Sequence, residues 1–461
     1  MNLTAPAAVA AFETAFPGML REGPGGFGAF ESGARSVALA SCAEAMSRAL
    51  EARDRELAAS RPKGLRVHSR RPRTLATMCG DVRFRRTVLL DGAGLTRYPL
   101  DEELDLPAGD RVSPSARSFL ATCGADVPFA RTAELMAIAG GSPVSATTVM
   151  DSVRSAGEAI AGIERARARD LFRDGVAPGA DSAAEEVLVE ADGTWVRMRG
   201  GSMAEVKAVV AYAGKEEGRR VEPVRLGCVG EAPGDFWEQA VAQVGSRFDL
   251  AAVERVRLGT DGEAQYVNGA ASMPFADVAG FIDPFHVFRA VGRCAPSPDG
   301  SRLVAVLRSE GAEACAGAIE AMVGAGTAAS GAEGVAAYLR WHAAEIGGGP
   351  SMGTMEAEQQ HMYKVRMGSS PCAWSPEGAD AMARLRSWLG SGFALPPRTR
   401  ESEQSPRRRQ RRGRKLARHL ARRAGGRVKS EGRGWEYPLA ASLGGFRADV
   451  RYEAAGAPLG W

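Results

Sequence analysis

VLVEADGTWV (187–196) decides how the rest of the chain is read. Its apolar run breaks at an Asp-Gly pair, so Val187–Asp192 reads as a β-strand with the Asp192 carboxylate at or near its end. RVRLGTDGEAQYV (255–267) repeats the pattern, with a strand over 256–261 and Asp261 at its tip. A third acid, Glu356, rides in SMGTMEAEQQHMYKVRM (351–367), whose apolar residues recur at helical spacing. Two strand-borne aspartates and one helix-borne glutamate can converge on a pair of Mg²⁺ ions, the arrangement used for in-line attack at phosphate. Asp-Gly alone does not say this. It occurs at Asp91, Asp174, Asp192, Asp261 and Asp299, and its commonest meaning is a tight turn. Spacing leaves accidental triples open, because the chain holds 55 acidic residues.

Outward from these stretches the chain alternates between strand and helix patterns. Residues 1–60 read as a helical N-terminal region, with helical spacing from Ser32 to Ala59. Residues 61–73 read as a basic linker carrying Lys63, Arg66, Arg70, Arg71 and Arg73, and 75–100 as a β-hairpin turning at Asp91-Gly92. Three helical segments follow from Ser113. The GGSPVS break (140–145) allows either a helix-turn-helix, with Ala146–Ala156 as recognition helix, or a plain helical bundle. Residues 61–173 thus form a β-hairpin and helical region, and the Gly/Pro/Asp stretch at 174–184 marks a boundary. Beyond it, strand candidates at 187–192, 206–212, 221–229, 256–261 and 278–283 with interleaved helices predict an α/β fold with a mixed sheet over 185–390. Helical patterns at 284–349 interrupt it.

Composition narrows the class. At 461 residues, 45% hydrophobic and 25% charged, the chain is globular. No apolar run approaches the ~20 residues that span a bilayer, and the N-terminus lacks a basic signal-peptide start, so a cytoplasmic location is expected. Seven scattered cysteines without a CxxC pair, and five histidines, argue against a zinc ribbon or a disulfide framework. The net charge of +4 hides a segregation. Residues 398–430 hold fourteen Lys/Arg against Glu401 and Glu403, a local +12, while the remaining 45 basic and 53 acidic residues carry −8. The C-terminal arm (391–461) therefore presents Arg407, Arg408, Arg409, Arg411, Arg412, Arg414 and Lys415 either to a polyanion, most often nucleic acid, or to solvent. Phosphate loops, HExxH and GxSxG are absent from the sequence.

Several ordered segments resemble one family. VEADGTWV at Asp192, EVKAVVAYAG (205–214), LGTDGEAQYV at Asp261, FIDPFHVFRAV (281–291) and GTMEAEQQHMYKVRMGSSPCAWSPEGADAMARLRSW (353–388) look like the DDE transposases of ISLre-like insertion sequences. That family has long been catalogued as an uncharacterised protein family and is similar to the Mutator-type transposases. GDVRFRRTVLLD (80–91) and RVSPSARSF (111–119) fit as well, so the resemblance covers roughly residues 60–390.

The resemblance implies a ribonuclease H-like catalytic domain with an all-α insertion, in which Asp192, Asp261 and Glu356 occupy the DDE positions and hold Mg²⁺, with Mn²⁺ substituting. Glu356 is preferred over the nearby Glu358 because His361 follows it five residues later. Ala357-Glu358-Gln359-Gln360 departs from the small residues usual there. Asp283 and His286 resemble an acid-x-x-His motif near the active site, though Asp283 also suits a helix N-cap. Trp374 either stacks on a DNA base or belongs to the core. The expectation is a transposase that cuts and joins double-stranded DNA at element ends and target, as at least a dimer, in the nucleoid-associated cytoplasm. Two alternatives stand: an inactive or repurposed transposase acting as a DNA-binding protein, and a ribonuclease H-like nuclease acting on junctions.

Overall fold

A computed structural model describes residue 13, residues 16–18 and residues 26–397, apart from 93, 108, 270–272, 283, 347–354 and 369–371. The chain divides into residues 1–403 and 404–461. The second part, and with it the seven basic residues from Arg407 to Lys415, lies outside the described residues.

The N-terminal helix α1 (Gly26–Ala59) packs on an antiparallel ribbon of β1 (Arg66–Thr77) and β2 (Gly80–Leu90). Leu75, Val82 and Phe84 point inward to meet Ala43 and, beyond β3 (Thr96–Arg97), Leu100 of the short helix α2 (Pro99–Glu103). The basic linker expected at 61–73 is thus largely strand. Pairing with β2 holds this stretch extended although residues 66–72 stay almost wholly exposed; buried positions begin only at Arg73. A hairpin turn falls at Met78-Cys79, and the one expected at Asp91-Gly92 is present as well, joining β2 to the short antiparallel β3. Along the side of β2 that faces away from β1, α1 supplies the missing partners. Ser47 donates to the Arg83 carbonyl, Glu51 accepts from the Arg85 N–H at 2.8 Å, and Asp54 accepts from the Thr87 N–H at 2.8 Å. Side chains spaced by one helical turn thereby reach every second residue of a strand.

Three helices follow: α3 (Pro114–Asp126), α4 (Phe129–Gly140) and α5 (Ala146–Asp174). Ser113 and Ser145 cap α3 and α5, accepting from Ala116 N–H at 3.2 Å and Thr148 N–H at 3.1 Å, and Pro114 opens α3 where its missing N–H costs nothing. Val112, Ala116, Leu120, Met136 and Val149 fill the space between them. α5 runs on unbroken for 29 residues, far past Ala156.

The main sheet has five strands in the order β10-β9-β4-β5-β8. β4 (Glu186–Arg197), β5 (Met203–Tyr212) and β8 (Val224–Val229) form an antiparallel run, and β9 (Arg255–Thr260) and β10 (Asp277–Ile282) add parallel to β4. The chain is therefore α/β with a mixed sheet, as its sequence pattern implies. A small hairpin, β6 (Gly214–Glu216) with β7 (Arg219–Val221), links β5 to β8. Both sheet faces are covered. Val196, Val206, Val210 and Tyr212 meet α5 and the helix α13 (Pro376–Gly390) on one side; Val189, Val209, Leu226 and Leu258 meet α6 (Pro233–Val244) on the other. α5 approaches α13 so closely that a Cβ on Gly157 would lie 2.4 Å from the Ala381 backbone. Gly157→Ala is expected to destabilise the protein by about 3 kcal/mol through forced backbone separation, read as a fall in the urea midpoint; an unchanged midpoint would mean that the two helices slide freely.

After β10 come α8 (Pro284–Gly292), α9 (Asp299–Glu310), α10 (Ala312–Gly324) and α11 (Ala332–Trp341), following the short α7 (Ala264–Val267) before β10. They enclose a core of their own, from Ile282 and Val287 to Ile319 and Leu339. The chain then returns to the sheet as α12 (Met355–Gln359), which widens into a π-helix over Gln360–Gly368. Side-chain donors take carbonyls from this widened segment: Arg386 those of His361 and Met362, and the Trp374 indole that of Met367 at 3.0 Å.

Candidate functional site

Asp192 does not end its strand. β4 continues five residues to Arg197, with Asp192 opposite Ala208 and Gly193 opposite Lys207. The Asp-Gly pair stays extended because the glycine is needed for close approach: a Cβ on Gly193 would stand 1.9 Å from a Glu205 carboxylate oxygen and 2.8 Å from the Tyr266 hydroxyl. Asp261 does follow the end of its strand. β4 and β9 are parallel neighbours with Glu190 beside Gly259, so two residues further along each chain Asp192 comes level with Asp261.

The two carboxylates feel one another. Burial first, and the Asp261 charge second, push Asp192 from an ordinary 3.8 up to about 7; the Gly193 N–H, His286 and Gln359 pull it back. Asp192 accepts from its own Gly193 N–H at 2.6 Å, and Asp261 accepts from the Glu263 N–H at 2.9 Å. The Tyr338 hydroxyl donates to the Asp261 carbonyl at 3.1 Å, tying this strand end to α11. His286, half-buried on α8, is near enough for its charge to act on Asp192. Asp283 lies outside the described residues.

α12 meets this edge through Gln359, whose amide donates to the Gly193 carbonyl at 2.9 Å. Glu356 sits three residues earlier, on the same helical face as Gln359, and is exposed. Glu358 is differently committed. It is buried between Arg220 and Arg225, both of which bond it directly, so of the two acids Glu356 alone keeps an open carboxylate. His361 is exposed, and its carbonyl accepts from Arg386 at 2.9 Å. Among the described residues no three His, Cys, Asp or Glu side chains gather closely enough to hold a metal. The site therefore consists of an aspartate pair, with Glu356 on the adjoining helix but not drawn in.

Trp374 is a core residue. It is 8% exposed, meets Phe129 edge-on at 6.4 Å between ring centres, lies under the Arg366 guanidinium, and spends its N–H on Met367. What remains open of its surface lines a cavity together with Phe129 and Met150. Sequence reading also passed over a polar cluster behind Gly193: Glu205 accepts from Tyr266 at 2.6 Å and from Gln265 at 3.0 Å. Burial and Glu205 together hold the Tyr266 phenol protonated. An acid in a strand, opposite the exposed Trp195, was the available signal; its partners come from 60 residues away.

The fold and site define an α/β protein with paired acids at adjoining parallel strands. The chain belongs to the Uncharacterised protein family (UPF0236), whose sequence profile matches residues 30–305. That span takes in Asp192, Asp261 and His286 and stops short of Glu356. A relative described as "UPF0236 protein in vanSb 3'region", from Streptococcus gallolyticus, is 23% identical over 261 residues, 54% of each chain. The chain thus spans about half the length of this curated relative. No helix among the described residues is long and apolar enough to cross a membrane.

Proposed function

We propose that this protein is a DNA transposase of the insertion-sequence type, cutting and joining DNA strands at the ends of its element. The observation that carries the reading is the level pairing of Asp192 with Asp261 on neighbouring parallel strands. Two neighbouring carboxylates, one of them pushed up to about 7 by burial and by the other's charge, form a hard-oxygen site suited to a divalent cation. That donor set fits Mg²⁺ or Mn²⁺, with Asp192 and Asp261 as holders and Glu356 as a third ligand from α12. A cation bound there supplies Lewis-acid polarisation of phosphate and attacking oxygens. Gln359 steadies the Gly193 peptide beside Asp192, and His286 adds a donor on the same side. Asp283 remains a proposed member of the site.

The antiparallel run β8-β5-β4, extended by parallel β9 and β10, supports a ribonuclease H-like catalytic domain, and the separate core of α8–α11 supports an inserted helical domain. In this reading residues 61–173 and the basic arm bind DNA, and two copies synapse two ends. A second reading, a non-catalytic DNA-binding descendant, is favoured by one observation: Glu356 stands exposed and apart from the aspartates.

The test is incubation of the full chain with DNA spanning the flanks of its own coding sequence, in Mg²⁺ and in Ca²⁺. Cuts at the element boundary in Mg²⁺, absent in Ca²⁺ and absent for Asp261→Asn, are expected. Boundary binding without cleavage in Mg²⁺ or Mn²⁺ transfers the assignment to the second reading.

A further inference from the structure

A separate cleft lies at the far end of β4, about 20 Å along the strand from Asp192. There the turn after β4, the α3–α4 corner, α5 and the start of α13 enclose a cavity of about 300 Å³. Its floor is apolar, formed by Phe129, Met150, Val153 and Trp374. Its charged lining consists of three guanidiniums, from Arg154, Arg199 and Arg366, and its lining residues include no carboxylate. Ser375, the N-cap of the 15-residue α13, lines it too, which brings a helix's positive end to the same space.

The arginines differ in what they are free to do. Arg366 is a wall: 7% exposed, it bonds the Gly124 carbonyl at 3.2 Å and lies over the Phe129 and Trp374 rings at 4.8 and 5.4 Å. Arg199 is exposed at the mouth. Arg154, on α5, has a buried Nε with no hydrogen-bond partner. A guanidinium that lines the cavity and is not spent on a carboxylate is a group an incoming oxyanion can bond.

We propose that this cavity binds a single nucleotide, with the ring on the apolar floor and the phosphate at Arg154 and Arg199. The positive lining requires an anion, and the floor requires a flat or apolar body attached to it. The volume, at the lower end of the ~300–1,000 Å³ typical of ligand sites, admits one such unit and not a duplex. The nucleotide is either free in solution or the unpaired end of a strand. Only the second source rests on the DNA reading above.

Cys372 lines the same cavity and is half-buried, so its alkylation reports occupancy, with exposed Cys42 as internal control. The full chain is treated with iodoacetamide alone and with inorganic phosphate, deoxyadenosine monophosphate or a 5′-phosphorylated trinucleotide, and each cysteine is followed by mass spectrometry. Slowing of Cys372 by about tenfold is expected at ten times the Kd, with Cys42 unchanged and the effect lost in Arg154→Ala and Arg199→Ala. Protection by both nucleotides identifies the free-nucleotide source, and protection by the trinucleotide alone identifies the strand end. No protection, equal protection by phosphate alone, or full protection in both variants overturns the proposal. Because the readout needs no cleavage, protection in a chain that fails to cut DNA counts against the transposase reading only.

Discussion

Asp192→Asn is expected to melt higher than the wild type at pH 8 without divalent cation, to keep less than half of that advantage at pH 5, and to lose DNA cleavage at both. The sign follows from the raised folded-state pKa. Asp192 titrates near 7 in the fold and near 3.8 when exposed, so its contribution is favourable at low pH and is lost as pH rises through about 7. At pH 8 the ionised side chain is held against burial and against Asp261. Removing its charge returns roughly 2–4 kcal/mol, at about 1.4 kcal/mol per unit. Saturating Mg²⁺ should reverse the order, since only the wild type keeps both carboxylates. Strand cleavage should fall by about 10³-fold or more. Calorimetry at the two pH values with and without Mg²⁺ checks the first part. A melting difference that ignores both pH and cation would show that the two aspartates do not share a site.

Arg384 should give the largest loss of stability. It is fully buried on α13 and joins three elements at once: Nη1 bonds Glu164 of α5 and, at 2.9 Å, Gln239 of α6; Nη2 bonds Glu231 at 2.6 Å; and Nε bonds Asp380 at 3.0 Å. Burial pushes the Glu164 carboxyl up, and Arg384 is what opposes that shift. Arg384→Met leaves Glu164 buried without its cation, at a cost of about 3–5 kcal/mol. Glu164 then remains buried only in its protonated form, so the deficit widens as pH rises. Urea unfolding at pH 6 and pH 9 measures both effects. A loss below about 1 kcal/mol at either pH would mean that the cluster relaxes around water.

Local pattern carried much of this architecture. The apolar runs at 187–192 and 256–261, the helical pattern from Ser113 and the helical patterns that set in at 284 follow from residues adjacent in the chain. So does Asp261 at a strand end. What failed depended on contacts from a distance. Asp192 reads as lying at or near a strand's end because nothing near it announces that Glu205 and Tyr266 crowd Gly193 and that the strand runs on. The arginine-rich 66–73 looked like a linker because its partner strand is what makes it a sheet. The choice of Glu356 over Glu358 rests on His361 alone, and what commits Glu358 elsewhere is its ties to Arg220 and Arg225, more than 130 residues away. For Trp374 the core is one of two readings left open, and it is Phe129, approaching from another helix, that packs it there.

Ser47, Glu51 and Asp54 take the Arg83 carbonyl and the Arg85 and Thr87 N–H groups on the outward side of β2, so over that length α1 stands where a further strand would have to bond. Strand addition between copies is closed there as a way of associating. Any pairing of two protomers through this region must be read in side chains, whose identity can be selected, and not in backbone, whose pairing is indiscriminate. A chain lacking α1 would lose that discrimination and become sticky before it became unfolded.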